Sequence, residues 1–209
     1  MQNKKGFYII FEGCHGTGKT TQSKKLFEFL KKKFPSKEVI WTREPGGSEI
    51  ADSIRKLVQG TKFNEEMDFI CEVYLYAASR AHTLRKIVKP VLERNGIVVQ
   101  DNSFVTALAY QGYAQKLGFG TCLEVNKLAL GNTLPDLVIH LSLDLQVSRT
   151  RTFDAEGDRF EKIGIEFDRK VEFGYKKISK LPIFKNKWLN VGADGDIPDV
   201  FHKILRRIT

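Results

Sequence analysis

The sequence predicts an α/β fold, a five-stranded parallel sheet with helices on both faces, and three observations point to it. Short apolar, β-branched runs recur along the chain, stretches of helical period separate them, and a glycine-rich turn follows the first run directly. The runs are Phe7–Phe11, Val39–Trp41, Ile97–Val99, Leu137–Leu141 and Trp188–Val191. Each is predominantly apolar, as a strand in a largely buried parallel sheet is expected to be. Helices are expected between them over Lys19–Lys33, Ser48–Val58, Asn64–Arg94, Val105–Leu117, Leu123–Leu130, Gln146–Arg151, Glu161–Ser179 and Pro198–Ile208. Strands joined through helices pair in parallel, because only antiparallel neighbours can share a tight turn. The Phe153–Gly164 segment breaks the pattern with glycine and charge and is expected to be a mobile lid. With 209 residues, no internal repeat and no linker, residues 1–209 are expected to form one domain.

Composition narrows the function. Hydrophobic residues at 42% and charged residues at 28% exclude collagen-like, coiled-coil and disordered classes. No run approaches 18 uncharged apolar residues, and MQNKKG leads straight into the first strand, so neither a membrane span nor an export signal is expected. Three cysteines, Cys14, Cys71 and Cys122, form neither an even disulfide set nor a C-x-x-C pair, which fits a cytoplasmic protein. A net charge of +9 calls for an anionic partner. The longest basic run, Lys31–Lys33, ends a predicted helix, where cations favour the macrodipole, so no nucleic-acid partner is expected. Phosphorylated small molecules account for the charge more economically.

Gly13-Cys14-His15-Gly16-Thr17-Gly18-Lys19-Thr20 satisfies G-x-x-x-x-G-K-[ST] between a strand and a helix. The glycines let successive N–H groups face phosphate oxygens, the helix adds its positive end, Lys19 reaches the β and γ phosphates, and the Thr20 hydroxyl is placed for Mg²⁺. With Thr21 on the first helical turn, this loop is the expected ATP cradle of a P-loop NTPase-type three-layer fold. Asp101, emerging from the carboxyl end of the third strand, is the second expected Mg²⁺ ligand, a role compatible with its also capping the helix that follows.

Six segments together resemble the bacterial thymidylate kinases, a family of P-loop nucleoside monophosphate kinases: FEG-x-x-G-x-GKTTQ at Phe11–Gln22, REPGG at Arg43–Gly47, AA-x-RA-x-H at Ala77–His82, AYQG at Ala109–Gly112, PDL at Pro135–Leu137 and DRFE at Asp158–Glu161. The resemblance implies a phosphotransferase that moves the γ-phosphoryl of ATP to a deoxynucleoside monophosphate, dTMP first among them, in a homodimer. It implies that Arg43 holds the acceptor phosphate, a role suited to the planar guanidinium fork. Tyr76 would stack on the base and Arg80 bond it, from one helix face at i and i+4. Tyr110 would crowd the 2′ position of the sugar, and Gln111 would add a base contact. Lys19, Arg43 and the lid cations Arg149, Arg151 and Arg159 would hold the moving charge, Arg159 foremost.

Two positions depart from the family pattern. His15 stands where relatives carry an acidic residue near the acceptor's 3′-hydroxyl, and Asn102 stands where they carry an arginine on the acceptor phosphate. Losing a contact of that kind from a transition state costs on the order of 10²–10³ in rate. Two alternatives therefore stand beside the dTMP reading at this point: a kinase for a different nucleotide or nucleoside, and a catalytically weak ATP-binding homologue.

Overall fold

In the computed structural model, residues 6–60, 63–151 and 163–208 are described. In chain order the elements are β1 (Phe7–Glu12), α1 (Lys19–Lys33), β2 (Val39–Arg43), α2 (Glu49–Gln59), α3 (Phe69–Thr83), α4 (Lys89–Glu93), β3 (Ile97–Asp101), α5 (Phe104–Ala107), α6 (Phe119–Leu130), β4 (Leu137–Ser142), α7 (Leu145–Thr150), α8 (Ile165–Ile178), β5 (Trp188–Gly192) and α9 (Ile197–Ile208). The strands form one parallel sheet in the order β2-β3-β1-β4-β5, the α/β class expected from the sequence.

Alternation along each strand makes two cores. Tyr8, Ile10, Val98 and Val138 face one side with Val73 of α3 and Val171 and Tyr175 of α8. Ile9, Phe11, Val99, Ile139 and Leu141 face the other, with Leu26 and Leu30 of α1 and Val200 and Ile204 of α9. Leu26 and Ile204 are fully buried there, and truncating either to alanine would cost about 2–5 kcal/mol.

Two helices differ from the periodicity. The expected helix over Asn64–Arg94 starts at Phe69, because the Asp68 carboxylate accepts from the N–H groups of Ile70 (2.9 Å) and Cys71 (3.1 Å) and so caps it. It then widens to a π turn over Leu84–Val88 before α4. Pro90 has no N–H to offer the carbonyl four residues back, and the turn ahead of it absorbs the loss. The segment after β3 likewise passes from α5 into a π stretch, Leu108–Ala114, which carries the AYQG motif. Of the expected lid, Phe153–Gly164, only Ile163 and Gly164 fall among the described residues.

Candidate functional site

Strand register brings the chemistry-bearing ends together. Arg43 pairs with Asp101 and Asp101 with Phe11, so the carboxyl ends of β2, β3 and β1 form one row. In a parallel sheet that row is where ligands are bound.

The loop after β1 wraps into the first turn of α1. Gly16 has φ 69°, and a Cβ there would lie 1.9 Å from the Ser148 carbonyl oxygen, so only glycine fits beneath α7. The Thr17 hydroxyl donates to the Cys14 carbonyl at 2.8 Å. Lys19 Nζ donates to the carbonyls of Gly13 (2.9 Å) and Cys14 (2.8 Å), a resting position on its own loop. Burial pushes the Cys14 thiol up to about 12, which removes it as a nucleophile at neutral pH. Thr20 donates through Oγ1 to Asp101 Oδ2, while Thr21 is exposed on the same turn. Asp101 Oδ1 is buried and receives no hydrogen bond from the described residues.

Beside the loop opens a cleft. It is lined by Gly13, His15 and Lys19 of the loop, Glu44 and Pro45 after β2, Tyr76 and Arg80 of α3, Asn102 and Thr106 after β3, and Tyr110 and Gln111 of the π stretch. The His15 ring meets Tyr110 edge-on at 5.8 Å between centroids, and Tyr110 packs on Phe167 of α8 at 5.9 Å. Asn102 occupies left-handed backbone at φ 61°, a conformation asparagine tolerates better than most residues, and its side chain lies beside the Thr106 hydroxyl, 3.3 Å away.

Buried pairs fix the side of the cleft formed by α3 and the π stretch. Arg80, 2% exposed, donates through Nε to Glu44 Oε2 at 2.7 Å and through Nη1 to Asn126 Oδ1 on α6. Burial raises the Glu44 carboxyl above its ordinary value, and the Arg80 charge pulls it back down. Gln111 Nε2 donates to Glu72 Oε1 at 2.5 Å. The turn that presents Glu44 needs glycine at position 47, where φ is 96° and a Cβ would meet Thr42 Oγ1 at 2.4 Å.

Below the cleft, Glu12 accepts from the hydroxyls of Ser103 (2.6 Å), Thr106 (2.7 Å) and Tyr175 (3.1 Å). Burial pushes its carboxyl up to about 7 against those hydrogen bonds. Next to it on β4, burial lowers the His140 imidazole to about 4, and the ring stacks beside Tyr175.

Not every expected residue reaches the cleft. The half-exposed Arg43 guanidinium is paired with Asp52 of α2 at 3.1 Å. Arg151 donates to the Ala193 carbonyl beyond β5 at 3.2 Å, and Arg149 pairs with Asp168 of α8. Arg159 lies outside the described residues.

The thymidylate kinase family model matches residues 11–204. The chain belongs to the thymidylate kinase family. A thymidylate kinase of Caldicellulosiruptor saccharolyticus is 36% identical over 205 residues, covering 98% of this chain and 96% of that one. One from Finegoldia magna is 37% identical over 200 residues, covering 95% of each. The crystal structure of thymidylate kinase from Ehrlichia chaffeensis superposes with a TM-score of 0.78 at 28% identity, covering 97% of this chain and 98% of that one. Against that family frame the residues that the sequence left unassigned are Glu12, Glu44, Glu72, Asn126 and Tyr175. One signal was available for Glu72: it stands four residues before Tyr76 and eight before Arg80, on the same face of α3. A buried carboxylate on the helix face that lines the cleft has to have a polar partner.

Proposed function

We propose that this protein transfers the γ-phosphoryl group of ATP to dTMP, giving ADP and dTDP. An oxygen of the acceptor phosphate attacks the γ-phosphorus, and the bond to the β,γ-bridging oxygen breaks as ADP leaves. The observation that carries the reading is the single cleft that sets Gly13, His15 and Lys19 against Tyr76, Arg80, Tyr110 and Gln111, in a chain matched by the family model from 11 to 204. Full-length thymidylate kinase relatives favour it over both alternatives, a kinase for another nucleotide or nucleoside and a weak ATP-binding homologue.

The loop N–H groups and the end of α1 cradle the ATP phosphates, and Lys19 leaves the Gly13 and Cys14 carbonyls to take the β and γ oxygens. Arg43 exchanges Asp52 for the acceptor phosphate. Tyr76 stacks on the base, Arg80 and Gln111 bond its edge, and Tyr110 closes the 2′ side of the sugar. Asn102 and His15 lie at the acceptor phosphate and the 3′-hydroxyl, and Arg151 and Arg159 complete the cationic surround of the moving group.

Mg²⁺ fits the residues present. The buried Asp101 Oδ1 has no hydrogen-bond partner among the described residues, and Thr20 Oγ1 stands beside the same carboxylate. Held by Thr20 and Asp101, the ion would supply neutralisation of the charge on the transferring phosphoryl group.

Phe69, Ile70 and Tyr74 of α3 and Leu128 of α6 are exposed and apolar, the face on which a second copy would pack to make the homodimer. A light-scattering mass near 24 kDa in place of about twice that would refute the dimer. No helix among the described residues is long and apolar enough to cross a membrane, and three free cysteines support a reducing, cytoplasmic setting. The enzymatic test is ADP release with each common nucleoside monophosphate. dTMP is expected to lead, and a protein that binds ATP but ignores millimolar dTMP would overturn the function.

A further inference from the structure

We propose that Glu72 is the positioning residue that sets which base the cleft accepts, by holding the Gln111 amide so that its oxygen, and not its nitrogen, faces the ligand. The inference rests on the nucleotide-kinase reading and adds to it the origin of base selectivity. A glutamine amide is nearly symmetric in shape, and left alone it turns either its acceptor or its donor end to a ligand. Here it is not left alone. Glu72 is fully buried and Gln111 is 2% exposed, with Nε2 donating to Glu72 Oε1 at 2.5 Å. A carboxylate only accepts, so the amide nitrogen is committed to Glu72. The amide oxygen, which receives no hydrogen bond from the described residues, is left to the cleft that Gln111 lines.

Arg80 is fixed in the complementary sense. Its Nε is taken by Glu44 and its Nη1 by Asn126, leaving Nη2, a donor at every accessible pH. The cleft therefore offers one acceptor and one donor whose roles cannot be exchanged. A 4-oxopyrimidine presents an N3–H donor beside a C4 carbonyl and satisfies both. Cytosine presents a bare N3 beside an amino group and faces both with the wrong polarity, leaving buried groups unpaired, the arrangement that gives the strongest rejection of an analogue. Glu72, Tyr76 and Arg80 stand at i, i+4 and i+8, so one face of α3 supplies the stack, the fixed donor and the group that fixes the acceptor.

The test measures kcat/KM for dUMP and dCMP, which differ at the read edge and both lack the 5-methyl group, in the wild type and in Glu72→Gln. The isosteric amide introduced by that change can donate as well as accept, which frees Gln111 to turn. The dUMP:dCMP preference is expected to fall at least tenfold, mostly through a lower KM for dCMP, with Tm nearly unchanged. Glu72→Asp keeps an acceptor-only group and is expected to retain the preference even where turnover drops. Combining Glu72→Gln with Gln111→Leu should lower the preference no further than Gln111→Leu alone, since Glu72 acts through that amide. An unchanged preference in Glu72→Gln, or an equal fall in Glu72→Asp, would overturn the assignment while dTMP kinase activity stands. A wild type that is inert towards dTMP and dUMP would overturn the function and the assignment together.

Discussion

In the donor half of the cleft, on the function proposed above, the groups that would meet phosphate come from one unbroken stretch, Gly13–Thr20, with a lysine that rests on its own loop. In the acceptor half, the groups that would meet the base come from α3 and the π stretch, and the two that would read its edge are held by buried partners far along the chain: Arg80 by Glu44 and Asn126, Gln111 by Glu72. A phosphate is recognised by charge and by many equivalent N–H groups, which a local loop can supply. A base edge is recognised by the order of donors and acceptors, and that order is stable only when each reader has lost its freedom to turn. Single changes should therefore be nearly all-or-none in the donor half and graded, with altered selectivity, in the acceptor half.

The largest expected effect is Lys19→Ala, which removes the main cationic partner of the β and γ phosphates. ATP-dependent turnover should fall by about 10³ or more, at the upper end for one electrostatic contact. Steady-state kinetics showing less than a tenfold loss would mean that the donor half shares its load as the acceptor half does.

An intermediate effect lies in the shared floor beneath both halves. Glu12 titrates at about 7 when folded against 4.5 as its ordinary value, so its protonated form is the one folding favours. Its contribution is complete below pH 4.5 and is lost as the pH rises through 7, a change of about 3 kcal/mol. His140, at about 4 against 6.5, works in the opposite direction: folding favours the neutral ring, and its contribution is complete above 6.5 and lost as the pH falls through 4. Between these limits the two slopes offset. Urea unfolding of the wild type should vary little from pH 4.5 to 6.5, Glu12→Gln should leave stability rising with pH, and His140→Gln should leave it falling. Identical profiles in all three would show that water reaches this floor.

The smallest expected effect is Asn102→Arg, which adds a charge beside the acceptor phosphate. kcat/KM for dTMP should rise by about tenfold, part of what one charged contact is worth. The left-handed backbone at φ 61° costs arginine about 1 kcal/mol more than asparagine, so Tm should drop by about 2–4 °C. A fall in dTMP turnover would show that the acceptor half is tuned to Asn102 as it stands.

The same contrast explains what could be read from the sequence. The five strands were legible because each carries a short run rich in apolar residues, and the cradle was legible because eight adjacent residues carry it whole. The start of α3 was misplaced because Asp68 caps it from inside a segment whose periodicity extends further back. The Glu44–Arg80 and Glu72–Gln111 pairs were not legible, since they join residues 36 and 39 apart and carry no local pattern. The resting contacts of Arg43 and Arg151, on Asp52 and on the Ala193 carbonyl, likewise depend on where α2 and β5 come to lie.

The central position of β1 has a consequence for how the chain is made. Its neighbours are β3 and β4, so the strand that leaves the ribosome first waits for partners that begin at Ile97 and Leu137, and the Tyr8 N–H finds its acceptor on Asp136, 128 residues later. At roughly 5–20 residues per second, the Phe7–Phe11 run stays unpaired for something like ten seconds of synthesis. During that interval the nascent chain carries the central strand of its sheet in the open, and a chaperone stationed near the exit tunnel would meet this segment before any other part of the sheet.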